Sequence, residues 1–198
     1  MTLIGILRGG ALVLMGLGAL CFVDAPLRTF RQQWRVRRSR ERTILLTLEL
    51  DLYALWALAM FYLHWDRALL PVEAETPLAG VGALLVLAGV TLTVWAKLRL
   101  GRWFSATFGV KQGHVLITDG PYALTRHPIY TGILTTMLGG ALLWNSLLTL
   151  ALAVLMAAPL YFHTVFEEAL FEQHFGDAYR VYQRRVPRLV PFAAPTRR

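Results

Sequence analysis

Long apolar runs constrain the fold of this chain more than any other feature of its sequence. Five of them lie at 3–23, 44–64, 78–98, 129–144 and 147–166. An apolar helix of about 20 residues, rising 1.5 Å per residue, crosses the roughly 30 Å hydrocarbon core of a bilayer. Because 56% of the residues are hydrophobic and only 16% are charged, we expect an all-α, polytopic integral membrane protein with about five transmembrane helices.

The positive charges indicate how these helices are oriented. All of the 20 lysines and arginines except Arg8 and Arg67 fall in three segments, 24–43, 97–128 and 167–198. Lysine and arginine are enriched on the cytoplasmic side of membrane proteins. We therefore place these segments in the cytoplasm, beneath the inner membrane if the cell is bacterial, and expect the basic segment 24–43 to contact membrane lipids. This distribution explains the net charge of +8 without a nucleic-acid partner, and the oligomeric state stays open.

The sequence argues against disulfides, metal sites and a signal peptide, and it leaves the role of two acidic residues open. One cysteine, Cys21, leaves no internal disulfide and no thiolate metal cage. The N-terminal run lacks a basic start and a clear cleavage site, so we expect no cleavable signal peptide. Glu49 and Asp51 lie in the second run, where they have either a functional role or arginine partners in the preceding loop. No metal is predicted, because the histidines lack spacing typical of zinc: His114, His127, His163 and His174.

The last two runs predict an antiparallel helix hairpin. Only Asn145 and Ser146 separate them, and Asn145 is the expected cap of the second helix. The helical pattern of that second helix continues to Gly176, a predicted helix end. A helix over 147–175 would be about 43 Å long, so its last turns would project beyond the bilayer. The basic, amphipathic tail predicts a C-terminal helix at the cytoplasmic interface, with Tyr179 and Tyr182 as interfacial anchors.

A polar stretch, HVLITDGPYALTRHPIYTG at 114–132, separates the third run from this hairpin. Asp-Gly-Pro predicts a turn, and Pro128 fits the first turn of a helix. Arg126 and His127 then stand at a helix N-terminus, where free N–H groups attract an anion. The hairpin would bring Glu167 and Glu168 to the same end. Such a site suits a zwitterionic ligand; S-adenosylmethionine is one of many that fit.

Two sequence blocks resemble a family of membrane enzymes. GPYALTRHPIYTG at 120–132 resembles the Arg-His-Pro-x-Tyr-x-Gly motif of the isoprenylcysteine carboxyl methyltransferases and the related phospholipid methyltransferases. EEALFEQHFGDAYRVYQRRVPRLVP at 167–191 resembles their second block, in which a glutamate pair precedes Phe-Gly-x-x-Tyr and Val-Pro. The resemblance covers about residues 97–192. It implies a single membrane domain, 1–198, with N-terminal transmembrane helices in 1–96 and a methyltransferase-like core in 97–192.

The resemblance also implies an activity and its residues. It implies S-adenosylmethionine-dependent transfer of a methyl group to a lipophilic acceptor, an isoprenylcysteine carboxylate or a lipid. Candidate catalytic residues are His127, His163 and Glu167. His163 stands where many isoprenylcysteine-type members carry an arginine, which argues against a prenylcysteine carboxylate as acceptor. The cofactor-binding residues implied are His114, Val115, Leu116, Gly120, Tyr122, Arg126, His127, Pro128, Tyr130, Gly132, Glu167 and Glu168.

Other interpretations of the same residues remain open. Sterol-type membrane reductases, which use NADPH, show a related Arg-His-Pro-x-Tyr block but a different acidic block. A membrane scaffold or sensor with a degenerate pocket is the non-enzymatic alternative. Arg126 could simply be one more of the positive residues on the cytoplasmic side, and His127 could simply cap the helix. Either glutamate could simply pair with Arg180 or Arg184.

Overall fold

The computed structural model describes residues 2–20, 55–56, 75–104 and 113–193. Within these ranges the chain is all-helical, without β-strands. The predicted second run lies outside the described residues apart from 55–56, as do Cys21, Glu49 and Asp51. Two single 3-10 turns lie at Gly101–Trp103 and Gly120–Ala123. The helices are α1 (Leu3–Leu20), α2 (Glu75–Leu100), α3 (Pro128–Leu143), α4 (Leu147–Phe175) and α5 (Asp177–Arg185).

Two stretches in the described ranges are long and apolar enough to cross a membrane. They are Thr76–Trp103, which contains most of α2, and Leu147–Phe175, which is α4; α1 and α3 are shorter apolar helices. Large apolar side chains on these helices point outward, among them Leu84, Leu98 and Val154, each more than 60% exposed. An apolar outer surface of this kind is what a lipid environment requires.

Glycines allow α2 and α3 to pack backbone against backbone. Gly82 and Gly89 on α2 face Gly139 and Gly132 on α3, seven residues apart on each helix. A β-carbon added at Gly132 would lie 2.6 Å from the carbonyl oxygen of Gly89, which leaves no room for any side chain. Gly82 and Gly89 thus make the small-residue contact typical of membrane helices. Gly80, on the same helix, faces open space.

The hairpin between α3 and α4 turns at Asn145–Ser146. The Ser146 side chain caps α4 by accepting a hydrogen bond from Thr149 N at 3.2 Å. The prediction that Asn145 is the cap is therefore wrong by one residue. Asn145 instead takes the left-handed backbone of the turn, with φ 51°, a conformation that asparagine tolerates better than most residues. The other end of α4 lies at Gly176, as predicted, and Gly176 has φ 56°.

The first helix packs beside α2 and reaches the end of α3. Arg8, one of the two basic residues outside the predicted cytoplasmic segments, donates from Nε to the carbonyl oxygen of Leu143 at 3.1 Å. Its guanidinium also lies 5.9 Å from the centre of the Trp144 ring. A cation here satisfies a terminal carbonyl and interacts favourably with the helix dipole. Arg8 thus stabilises the end of α3 that is remote from His127.

The last helix, α5, folds back against α4. Tyr179, Tyr182 and Val186 are buried in one cluster, on which Leu116 and Phe171 pack. These three residues follow the i, i+3, i+7 spacing of a buried helix face. The expectation that Tyr179 and Tyr182 anchor the chain to the membrane surface is wrong, because their side chains are only 2% and 6% exposed. The tail therefore helps to build the interior of the protein.

Candidate functional site

Glu168 lies at the centre of a buried cluster of charges. Its Oε1 accepts a hydrogen bond from Arg188 Nε at 3.0 Å and lies 3.1 Å from Arg126 Nη2 and 3.3 Å from His127 Nε2. Its Oε2 accepts from Arg188 Nη2 at 2.7 Å and from Gln183 Nε2 at 3.3 Å. The carboxylate is 3% exposed, and a buried charge is tolerated when it is paired and hydrogen-bonded in this way.

His127 lies between the two glutamates. Its Nδ1 is 3.3 Å from Glu167 Oε2, and its Nε2 is 3.3 Å from Glu168 Oε1. An imidazole with a carboxylate at each nitrogen donates from both when it is protonated. Burial alone would lower the pKa of His127, but the hydrogen bonds to Glu167 and Glu168 outweigh burial and raise the pKa above its ordinary value. The geometry therefore favours the charged imidazolium.

Arg126 is buried with a donor to spare. Its Nη1 donates to the carbonyl oxygen of Gln183 at 3.3 Å, and its side chain is 1% exposed. Its Nη2 forms an ion pair with Glu168 Oε1 at 3.1 Å, whereas its Nε makes no hydrogen bond within the part of the chain that the structure describes. A buried donor without an acceptor costs about 1–3 kcal/mol, and more when it is charged. Such donors are the kind of group that a bound anion would satisfy.

The segment Val186–Leu189, here called the C-terminal strap, holds the start of α3 in place. Arg126 N donates to the carbonyl oxygen of Pro187 at 2.8 Å, and His127 N donates to that of Arg188 at 3.1 Å. Two threonine hydroxyls also donate hydrogen bonds to the strap. Thr125 Oγ1 donates to the carbonyl oxygen of Arg188 at 2.7 Å, and Thr131 Oγ1 donates to that of Leu189 at 2.6 Å. The strap therefore uses backbone N–H groups that otherwise lack partners at a helix start.

Tyr130 and His163 extend the site along the hairpin. The Tyr130 ring stacks on His127 with centres 5.8 Å apart and lies 5.1 Å from the ring of His163. His163 is 5% exposed, one turn before Glu167 on α4. Of the predicted site residues, His127, Tyr130, His163 and Glu167 therefore lie together, with Arg126 and Glu168 beside them.

The predicted residues His114, Val115 and Leu116 lie apart from the glutamate cluster. The ring of His114 stacks on Trp103, with centres 5.1 Å apart, and meets Phe175 edge-on at 5.7 Å. Val115 is 59% exposed, whereas Leu116 packs on the Tyr179 cluster. These three residues form an aromatic and apolar region of their own beside α4.

The remaining predicted residues shape the backbone around the site. Gly120 has φ 59°, a conformation natural to glycine. Burial raises the pKa of Tyr182, so its hydroxyl stays protonated and donates to Tyr122 O at 2.6 Å. Pro128 is fully buried in the first turn of α3, as predicted, and Gly132 contacts α2 rather than the charge cluster.

An exposed ion pair holds the loop before Gly120. The Arg99 guanidinium hydrogen-bonds both carboxylate oxygens of Asp119. Arg99 lowers the pKa of this exposed carboxyl, so Asp119 remains ionised. The contact ties the end of α2 to the turn that leads into the site.

Sequence reasoning missed Arg188 and Gln183. Neither glutamate pairs with Arg180 or Arg184 within the described ranges; Arg180 pairs with Asp177 at 3.1 Å instead. A signal for Gln183 was present, because it lies on the same helix face as Tyr179 and Val186, and a buried amide needs a partner. The described residues hold no group of three or more His, Cys, Asp or Glu side chains that could bind a metal.

Comparison with known proteins places this geometry in a family. The family model for phospholipid methyltransferases matches residues 78–178, which run from α2 to the start of α5. Protein-S-isoprenylcysteine O-methyltransferase B of Arabidopsis thaliana is 31% identical over 118 residues, covering 58% of this chain and 60% of the relative. Protein-S-isoprenylcysteine O-methyltransferase of Schizosaccharomyces pombe is 33% identical over 99 residues, covering 48% and 42%. The chain thus spans less than two thirds of either relative.

A solved structure shows the same fold. The eukaryotic intramembrane Ras methyltransferase, an isoprenylcysteine carboxyl methyltransferase, superposes with a TM-score of 0.56 and 22% sequence identity, covering 94% of this chain and 66% of the other. The family match extends over half of the chain and includes Arg126, His127, Glu167 and Glu168. This chain therefore belongs to the phospholipid methyltransferase family.

Proposed function

We propose that this protein is an S-adenosylmethionine-dependent methyltransferase that acts on a lipophilic acceptor at the cytoplasmic face of a membrane. The observation that carries the proposal is the meeting of two distant sequence blocks: Arg126 and His127 with Glu167 and Glu168. The family match and the names of the relatives support methyl transfer. Among the described residues, no feature of the site favours the NADPH-dependent reductase or the scaffold over it.

The proposal includes a topology. About five transmembrane helices, with the N-terminus outside, would put the Arg126 end of α3 and the Glu168 region of α4 on the cytoplasmic side. The charge distribution supports this, since all lysines and arginines except Arg8 and Arg67 then lie inside. α5 would lie near the cytoplasmic interface, with its arginines toward the headgroups and its tyrosines packed inward. The chain would form one membrane domain, with 97–192 as its cofactor-binding core.

The described residues fit the proposed cofactor chemically. Glu167, whose side chain is 24% exposed, suits an ammonium or a ribose hydroxyl. Tyr130 offers an aromatic face for a sulfonium. We assign the adenosine to the region of His114, Val115 and Leu116. The remaining contacts and supports would come from Arg126, through its ion pair with Glu168, and from His127, Glu168, Gly120, Tyr122, Pro128 and Gly132.

The side chains divide into holding and proton-transfer roles. The cofactor supplies, when bound, an electrophilic methyl group on a sulfonium. A carboxylate lies at each ring nitrogen of His127, so its protonated form would donate to both and orient Glu167 and Glu168. The candidates for a base are then His163 and Glu167, which an amine or hydroxyl acceptor would need and a carboxylate acceptor would not. Burial of this cluster excludes water, and positioning supplies most of the rate.

The acceptor would enter from the inner leaflet. Tyr161 and Phe162, which precede His163 on α4, are 48% and 54% exposed on the outer surface. Such side chains at the level of the site suit a lipid-soluble acceptor chain. The acceptor would be either an isoprenylcysteine carboxylate-like molecule or a membrane lipid.

A methyl-transfer assay tests this proposal. Membranes containing the protein are given S-adenosylmethionine with a labelled methyl group and three acceptors in parallel: an isoprenylated cysteine analogue, phospholipids, and a water-soluble carboxylate. Label in either lipophilic product, lost in Glu167→Gln, supports the proposal. Label confined to the water-soluble acceptor, or none in any, contradicts it.

A further inference from the structure

A cavity of about 170 Å³ lies on the α5 side of Glu168. It shares only Arg126 and Glu168 with the residues assigned above to the cofactor. The rest of its wall comes from the end of α4, from α5 and from the C-terminal strap. Its charged lining consists of Arg126, Arg180, Arg184, Arg188, Glu168 and Glu172.

The charge of this lining is positive. Four guanidinium groups face two carboxylates. Both oxygens of Glu168 already accept hydrogen bonds from Arg188, and Glu168 lies against Arg126 and His127 as well. Glu168 therefore has little capacity left to neutralise further cations. Glu172 is the remaining acid in the lining.

A buried cation with an unused donor lines the same cavity. Arg126 is 5% exposed, its Nη2 pairs with Glu168, and its Nε makes no hydrogen bond within the described ranges. Its remaining terminal nitrogen, Nη1, donates to the carbonyl oxygen of Gln183, another lining residue. An arginine fixed in this way presents a planar fork of donors, which matches the oxygens of a phosphate or carboxylate.

We propose that this arginine-lined cavity is an oxyanion-binding site for a phosphate group, separate from the cofactor pocket. Arg180 and Arg184 lie on exposed turns of α5 and would meet the anion at the mouth, while Arg126 and Arg188 hold it from inside. The phosphate is either free in solution or part of an anionic lipid headgroup, since both present the same oxygens. An occupied site gives the Nε of Arg126 an acceptor.

Thermal unfolding of the full chain in detergent, without cofactor, tests the site. Inorganic phosphate is compared with chloride at equal ionic strength. At about ten times its Kd, phosphate should raise Tm by roughly 3–6 °C. Arg184→Glu should abolish this rise, because it places a carboxylate in the lining. Arg185→Glu is the matched control: it makes the same charge change at the next residue, which does not line the cavity, and it should keep the rise.

A second arm identifies the source of the phosphate. Mixed micelles containing phosphatidylglycerol replace the phosphate buffer. Stabilisation by these micelles alone assigns the site to a lipid headgroup, and stabilisation by inorganic phosphate alone assigns it to a soluble anion. In either case Arg184→Glu must remove the stabilisation. No stabilisation in either arm, or an equal effect in Arg184→Glu, overturns the proposal.

Adding S-adenosylhomocysteine separates this site from the cofactor pocket. If the phosphate effect persists at saturating S-adenosylhomocysteine, the two sites are separate. If S-adenosylhomocysteine abolishes it, the cavity belongs to the cofactor pocket and the separate site is wrong. Stabilisation by S-adenosylhomocysteine alone reports on the proposed methyltransferase function, so failure of one proposal is distinguishable from failure of the other.

Discussion

Arg188 and Glu168, which are 20 residues apart in the chain, form a two-pronged ion pair with N···O distances of 3.0 and 2.7 Å. The pair crosses the reversal at Gly176 and ties the C-terminal strap to α4. Through its backbone carbonyl, Arg188 also receives the N–H of His127. One residue thus connects the second sequence block to the start of α3, which lies within the first block.

Loss of this ion pair should destabilise the protein. Arg188→Ala leaves the buried carboxylate of Glu168 with fewer partners, and breaking a buried pair costs about 3–5 kcal/mol. Arg188→Lys should recover only part of this, because an ammonium cannot form the two-pronged contact. Thermal unfolding in detergent measures both variants. Arg185→Ala, at an exposed position, is the control and should change stability by less than about 0.5 kcal/mol. Equal stabilities of Arg188→Ala and this control would contradict the assignment.

The glycine contact between α2 and α3 makes a second prediction. Gly132→Ala would place a β-carbon 2.6 Å from Gly89 O, so the helices must separate, at a cost of about 1–3 kcal/mol. Gly80→Ala is the matched control on α2, because its β-carbon would meet nothing within 4 Å. It should be neutral or stabilising, since alanine favours a helix by about 1 kcal/mol over glycine. Comparable losses in the two variants would argue against close packing at Gly132.

The environment of His127 predicts how stability depends on pH. Its pKa in the folded protein is raised above the ordinary 6.5, so protonation favours the folded state. This contribution is present in full below about pH 6.5 and is lost as the pH rises through the raised value. Unfolding temperatures measured between about pH 6 and 9 should therefore fall with pH, and more steeply than in His127→Gln. Parallel profiles for wild type and variant would show that His127 does not titrate as described.

The two glutamates should respond differently to neutralisation. Glu168→Gln removes the charge that compensates Arg126, Arg188 and His127, and should destabilise the protein by about 3 kcal/mol or more. Glu167→Gln changes a side chain that is 24% exposed and should leave the fold intact while it reduces methyl transfer. Unfolding temperature and activity are measured on the same preparations. If Glu168→Gln is more stable than Glu167→Gln, the structural role given to Glu168 and the functional role given to Glu167 are wrong.

Local patterns predicted the hairpin well. The apolar run that starts at 147 and the glycine at 176 predicted a helix over 147–175, and α4 has those bounds. Pro128 and His127 likewise marked the start of α3. These features depend on neighbouring residues, because capping and helix termination are decided within one or two turns.

Features that depend on tertiary contacts were predicted less well. Tyrosine is a typical interfacial anchor, which is why Tyr179 and Tyr182 were predicted at the membrane surface. The reversal of the chain at Gly176 instead turns them inward against Phe171. Arg188 is one of several arginines in the tail, and only the path of the strap selects it as the partner of Glu168. The sequence alone does not specify such a path, because it results from packing between α4 and α5.

The most direct test of the central claim is cofactor binding to the purified protein. Thermal unfolding in detergent is followed with S-adenosylhomocysteine, NADPH and zinc in parallel. We predict that S-adenosylhomocysteine alone raises Tm, and that Glu167→Gln weakens this effect without loss of fold. Stabilisation by NADPH instead, or by none of the three, would contradict the claim that Arg126, His127 and the glutamate pair form a methyltransferase site.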